Sequence, residues 1–199
     1  MINNTIKNFI FFGIAGSGKG TQVELLSKYI KENNISTDVI FASPGNEYRK
    51  IAQSGNFTGE IVKSTIEKGF LMPDLLTISL VTASISNDIK KDCSIIADGY
   101  PRTINQSKAL EEILEFYGRK NSHIIYIEVS KDEAVKRMKL RARSDDNDSG
   151  IEKRYNEYIN NVLPAMDYFK NKEEYKIHVI NGEQSVESVH LDIIKSLDF

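Results

Sequence analysis

The stretch FIFFGIAGSGKGTQ, Phe9 to Gln22, decides the fold. Phe9 to Phe12 are bulky, apolar and bounded by glycine, which suits a strand buried on both faces better than an amphipathic helix. Gly13, Gly16, Gly18 and Gly20 then let the backbone turn tightly and approach a ligand without Cβ clashes. Successive backbone N–H groups in such a turn, together with the N-terminus of the helix that follows, attract anions. Lys19 adds a mobile charge for β- and γ-phosphates, and the Thr21 hydroxyl suits Mg²⁺. Gly13, Gly18 and Lys19 meet the spacing GxxxxGK, with Gly20 inserted before the hydroxyl residue. A plain glycine-rich connection is the competing reading, but strand, loop and helix stand in the order that phosphate binding requires.

Outward from this loop, short apolar runs alternate with helical stretches. DVIFAS (Asp38 to Ser43) and CSIIAD (Cys93 to Asp98) read as further buried strands, and HIIYIEV (His123 to Val129) and KIHVIN (Lys176 to Asn181) as a fourth and a fifth strand. Between them, helical spacing is expected over Thr21 to Lys31, Glu47 to Ser54, Thr58 to Lys68, Asp74 to Ile89, around Leu110 to Tyr117, over Lys131 to Arg143, and over Val186 to Leu197. Pro44-Gly45 is read as ending the second strand, and SDDNDSG as a turn. From Ile151 to Phe169 a long apolar stripe predicts one helix, bent near Pro164. Such alternation implies right-handed crossovers and an α/β fold, a parallel sheet with helices on both faces.

The chain has 199 residues, a net charge of -2 and a single cysteine, Cys93. One domain of ordinary size is expected. The charge balance gives no global reason to expect nucleic acid or a membrane. One cysteine excludes an internal disulfide and a cysteine-rich zinc site. The amino-terminal MINNTIKN lacks a signal-peptide core, and no run approaches membrane-spanning length, so a cytoplasmic protein is expected.

In a sheet of this kind, ligands bind beyond the carboxyl ends of the strands. Each strand delivers a candidate there: the phosphate loop after the first, Arg49 after the second, Asp98 and Arg102 after the third, and Arg137, Arg141 and Arg143 after the fourth, with Arg154 one helix later. These arginines imply more phosphate than one nucleotide supplies, hence two phosphorylated ligands.

GIAGSGKGTQ, DGYPRTINQ and RSDDN together resemble the signatures of adenylate kinases and related nucleoside monophosphate kinases, in order and over nearly the whole chain. The resemblance implies a P-loop fold with a five-stranded parallel sheet and two mobile inserts, a monophosphate-binding one at about 43–72 and a lid at about 141–150, within one kinase domain spanning 1–199. It further implies transfer of the ATP γ-phosphoryl group to a nucleoside monophosphate, AMP above all, with Mg²⁺ and by a monomer. Carried over by position, Gly16, Ser17, Gly18, Lys19, Gly20 and Thr21 would cradle the donor phosphates. Arg137, Arg141 and Gln184 would complete the ATP site, while Thr21 and Asp98 would serve the metal. Ser43, Pro44, Arg49, Phe70, Leu71, Met72, Gly99, Tyr100, Arg102, Gln106, Arg143 and Arg154 would hold the monophosphate. Lys19, Arg102, Arg141, Arg143 and Arg154 would be catalytic.

Two departures from the family pattern keep alternatives open. Pro44 replaces the threonine of the acceptor segment and offers neither hydroxyl nor N–H, which admits a UMP/CMP kinase. A single residue separates Arg141 from Arg143, so the lid is unusually short, and a nucleotide-binding module with little transferase activity is the alternative from another class. A small-molecule kinase on the same loop is a third.

Overall fold

A computed structural model describes residues 7–141 and 147–199. In chain order the elements are β1 (Asn8–Phe12), α1 (Lys19–Glu32), β2 (Asp38–Ala42), α2 (Pro44–Ala52), α3 (Phe57–Glu67), α4 (Asp74–Asp88), β3 (Cys93–Asp98), α5 (Ile104–Phe116), β4 (Ser122–Glu128), α6 (Lys131–Arg141), α7 (Asp148–Glu157), a π turn (Tyr158–Val162), α8 (Leu163–Asp167), β5 (Tyr175–Asn181) and α9 (Val186–Leu197). The five strands form one parallel sheet in the order β2-β3-β1-β4-β5.

The central strand β1 is buried along its whole length, as a strand covered on both faces must be. Its side chains alternate. Ile10 and Phe12 join Ile95, Ala97 and Ile124 in packing on α4, α5 and Phe169. Phe9 and Phe11 join Ile96, Ile125 and Ile127 against α1 and α9, through Leu26, Ile30, Val189 and Ile193. Register brings Phe11 level with both Asp98 and Ile125, so β1 and β3 end within a residue of each other, β4 two residues further on, and all three release their loops over one edge of the sheet.

Three local expectations are corrected. The second strand does end ahead of Pro44, but the helix expected from Glu47 already opens at Pro44, because proline's fixed φ and missing N–H suit a first helical turn. The polar turn gives way early to helix, with the Asn147 side chain accepting from Gly150 N as the cap of α7. The long apolar stripe is not one α-helix bent at Pro164: it passes through the π turn at Tyr158–Val162 before α8 takes Pro164 into its first turn. Residues 142–146 of the expected lid lie outside the described residues. Among the described residues, no helix is long and apolar enough to cross a membrane.

Candidate active site

The glycine-rich loop turns through positive φ at Gly16 (88°) and Gly18 (93°), a region costly for any side chain. At Gly16 space is also lacking, since a Cβ there would stand 2.6 Å from the Ala134 carbonyl oxygen of α6. Lys19, the first residue of α1, folds back over the loop and donates to the Gly13 and Ile14 carbonyls at 2.6 and 2.8 Å and to Ser17 Oγ at 3.3 Å. Burial favours its neutral form and lowers its pKa to about 8; Asp98 opposes that shift, and Arg102 and Arg141 add to it.

Arg102 is anchored by Nε donating to the Gly99 carbonyl at 2.8 Å. Desolvation in the cleft works against its charge, Asp98 and Glu157 support it, and Arg49 opposes it, so the cations of α2 and of the turn after β3 share one field. Arg49 reaches Asn46 Oδ1 within α2. Arg137 pairs with Glu133 at 2.8 Å and donates to the Gly182 carbonyl at 3.0 Å, tying α6 to the turn after β5. The Gln106 amide bridges the Arg102 backbone N–H and the Asp74 carboxylate.

These groups meet in a cavity of about 840 Å³. It is lined by Lys19, Arg49, Arg102, Arg137, Arg141 and Arg154, against the carboxylates of Glu24, Asp98 and Glu157. Gly16, Gly18, Gly20, Thr21, Ser43, Pro44, Phe70, Leu71, Met72, Gly99 and Gln106 also line it. Three expected site residues do not. Ser17 is buried beneath Lys19. Tyr100 lies in the core with its hydroxyl donating to the Gln106 carbonyl. Gln184 donates to the Asn181 carbonyl and to Asp192. Arg143 falls outside the described residues. Sequence reasoning missed Glu157, Tyr158 and Val162, which enter the cavity from the end of α7 and the π turn. It also missed Tyr48 and Thr77, whose hydroxyls meet at 2.9 Å and join α2 to α4.

Thr21 and Asp98 together offer one hydroxyl and one carboxylate at the mouth of the phosphate loop, a hard-oxygen pair that fits Mg²⁺, which retains several waters. Among the described residues, no group of three or more His, Cys, Asp or Glu side chains is placed to hold a metal ion.

A parallel sheet carrying a phosphate loop at its central strand, and a cationic cleft beyond its strand ends, define a P-loop phosphotransferase. Comparison with known proteins narrows the class: the family model described as adenylate kinase matches residues 11–174. An adenylate kinase of Bacteroides thetaiotaomicron is 36% identical over 195 residues, covering 96% of this chain and 98% of the relative. One from Bacteroides fragilis is 35% identical over the same coverage. One from Thermosipho africanus is 30% identical over 220 residues, covering 94% of this chain and 97% of the relative. The chain belongs to the adenylate kinase family, whose reaction is ATP + AMP = 2 ADP.

Proposed function

We propose that this chain transfers the ATP γ-phosphoryl group directly to AMP, giving two ADP. The observation that carries the reading is the convergence of Lys19, Arg49, Arg102, Arg137, Arg141 and Arg154 on one cavity beyond the strand ends. In the proposed step an oxygen of the AMP phosphate bonds to the γ-phosphorus as the bond to the ADP leaving oxygen breaks. The attacking oxygen is already ionised, so no strong base is needed, and none of the three histidines lines the cavity. Catalysis then consists of alignment and neutralisation of charge on the transferring group.

Gly16 to Thr21 would cradle the donor phosphates, with Ser17 bracing Lys19 from below. Arg137 and Gln184 would lie toward the donor base. Arg49 and Arg102 would grip the acceptor phosphate, and Arg141, Arg143 and Arg154 would surround the group in flight. Phe70, Leu71 and Met72 would wall the acceptor base while the Gln106 amide reads its edge; Ser43, Pro44 and Gly99 would shape the floor, with Tyr100 acting from the core. Thr21 and Asp98 would hold Mg²⁺, which when bound offsets charge on the donor phosphates. Closure of the acceptor insert and the short lid would exclude water. The same reading takes the enzyme as a cytoplasmic monomer, which sedimentation tests.

A pyrimidine monophosphate is the second reading, favoured by Pro44 lining the cavity without hydroxyl or N–H. Comparing AMP, CMP, UMP and GMP at one ATP concentration in a coupled assay decides between them. AMP is expected to lead in kcat/KM. A lead for CMP or UMP transfers the assignment to the pyrimidine, and absence of ADP with every acceptor overturns it in favour of a binding module.

A further inference from the structure

A glutamine amide has two ends of nearly the same shape and opposite hydrogen-bonding character. A 6-aminopurine presents a ring-nitrogen acceptor beside an amino donor; a 6-oxopurine presents a ring N–H beside a carbonyl. The same amide turned half a revolution suits the other base, so an amide that reads a purine selects well only when its rotation is blocked.

The Gln106 side chain is blocked. It is 2% exposed, its Nε2 donates to Asp74 Oδ1 at 2.8 Å, and its Oε1 accepts from Arg102 N at 2.9 Å. Neither partner admits the reverse arrangement, because a carboxylate has no proton to give and a backbone N–H no lone pair. Asp74 is itself held: Oδ1 also accepts from Thr103 Oγ1 at 2.9 Å, and Oδ2 from Asn105 Nδ2 at 3.2 Å. Although Asp74 opens α4, these bonds all run to Thr103–Gln106 at the start of α5 and none to its own helix. Only Pro73 separates it from Phe70–Met72, which line the cavity.

We infer that Asp74 is a positioning residue for acceptor choice: its carboxylate sets which end of the Gln106 amide donates and which accepts, and so selects 6-amino over 6-oxo purines. The inference rests on Gln106 facing the acceptor base. One amide N–H and one Oε1 lone pair remain for that base after the internal bonds are made.

The test is the ratio of kcat/KM for AMP to that for IMP, at fixed ATP, in Asp74→Ala, Gln106→Ala, Gln106→Glu and the double variant Asp74→Asn/Gln106→Glu. Asp74→Ala should lower the ratio by about tenfold, the loss of one charge-assisted hydrogen bond, mainly through the KM for AMP with that for ATP unmoved. Gln106→Glu sets two carboxylates face to face, so its activity should fall as pH rises and their shared proton is lost. Adding Asp74→Asn, which donates where the carboxylate accepted, should remove that fall. Equal losses with both acceptors in Asp74→Ala, or no rescue of Gln106→Glu by Asp74→Asn, overturns the inference. If Gln106→Ala collapses the ratio while Asp74→Ala leaves it at the wild-type value, the role of Asp74 alone fails. If Gln106→Ala itself leaves the ratio unchanged, the base-reading role of Gln106 fails and the inference with it.

Discussion

Lys19 is held by two carbonyls and a hydroxyl, with a pKa of about 8 in the free protein. A bound triphosphate would favour the charged form and raise that value. Binding then takes up a proton whenever the free lysine is neutral, so the KM for ATP should be flat below about pH 7 and climb above pH 8, approaching tenfold per pH unit. A flat profile from pH 6.5 to about 9.5 contradicts this ionisation. Arg102, fixed by its bond to Gly99, should matter to turnover rather than to folding: Arg102→Ala is expected to lower kcat roughly 10³-fold in coupled kinetics, by analogy with other arginines that neutralise a transferring phosphoryl group. Activity near that of the unsubstituted protein would remove Arg102 from the mechanism. At this scale the motifs were legible because glycine, lysine and arginine carry their chemistry wherever they stand. Asp74 was not, since its meaning depends on Thr103 and Gln106, far away along the chain.

The phosphate loop and α6 meet where Gly16 passes the Ala134 carbonyl, and this joint leaves no room for a side chain. Gly16→Ala adds a Cβ at a positive φ and against that oxygen, costing about 1–3 kcal/mol from backbone strain alone. Thermal unfolding should show a lowered midpoint and kinetics a raised KM for ATP; wild-type values in both would mean that the loop does not rest on α6. The strands were readable because β1, β3 and β4 are buried on both faces and therefore apolar without interruption or nearly so. The start of α2 was not, because a proline after a strand serves equally as a stop and as a first helical residue. Nor was the π turn: Tyr158, Ile159 and Val162 keep a helical spacing that does not distinguish four-residue from five-residue hydrogen bonding.

Taken whole, the molecule keeps its cationic cleft at the carboxyl edge of the sheet and a histidine pair toward the other. His123 Nδ1 meets His178 Nε2 at 2.9 Å, and Asn121 Oδ1 lies 3.2 Å from His123 Nε2. With Lys7 and Lys176 nearby, burial and like charge lower the pKa of His123 to about 3, and that of His178 in the same direction. Depressed values mean that the folded state needs neutral rings while the unfolded state protonates near 6.5. Stability from His123 is therefore complete above about pH 6.5 and is lost as pH falls toward 3, with a slope approaching ~1.4 kcal/mol per pH unit, and His178 adds a loss of the same sign. Urea unfolding at pH 7 and 5 should show this loss, and His123→Gln should reduce it; equal pH dependence in the two proteins contradicts the assignment. None of this pairing was legible, because His123 and His178 meet only through the register of β4 with β5. That the sheet is parallel and covered by helices, by contrast, followed from the βα alternation, though its strand order did not.

The central claim is that one cleft brings two nucleotides end to end across a bridge of phosphates. Calorimetry with a dinucleotide polyphosphate in which five phosphates join two adenosines, paired with inhibition kinetics, tests it most directly. The account predicts one molecule bound per chain, competing with both ATP and AMP; competition with ATP alone, or two molecules bound per chain, would contradict it.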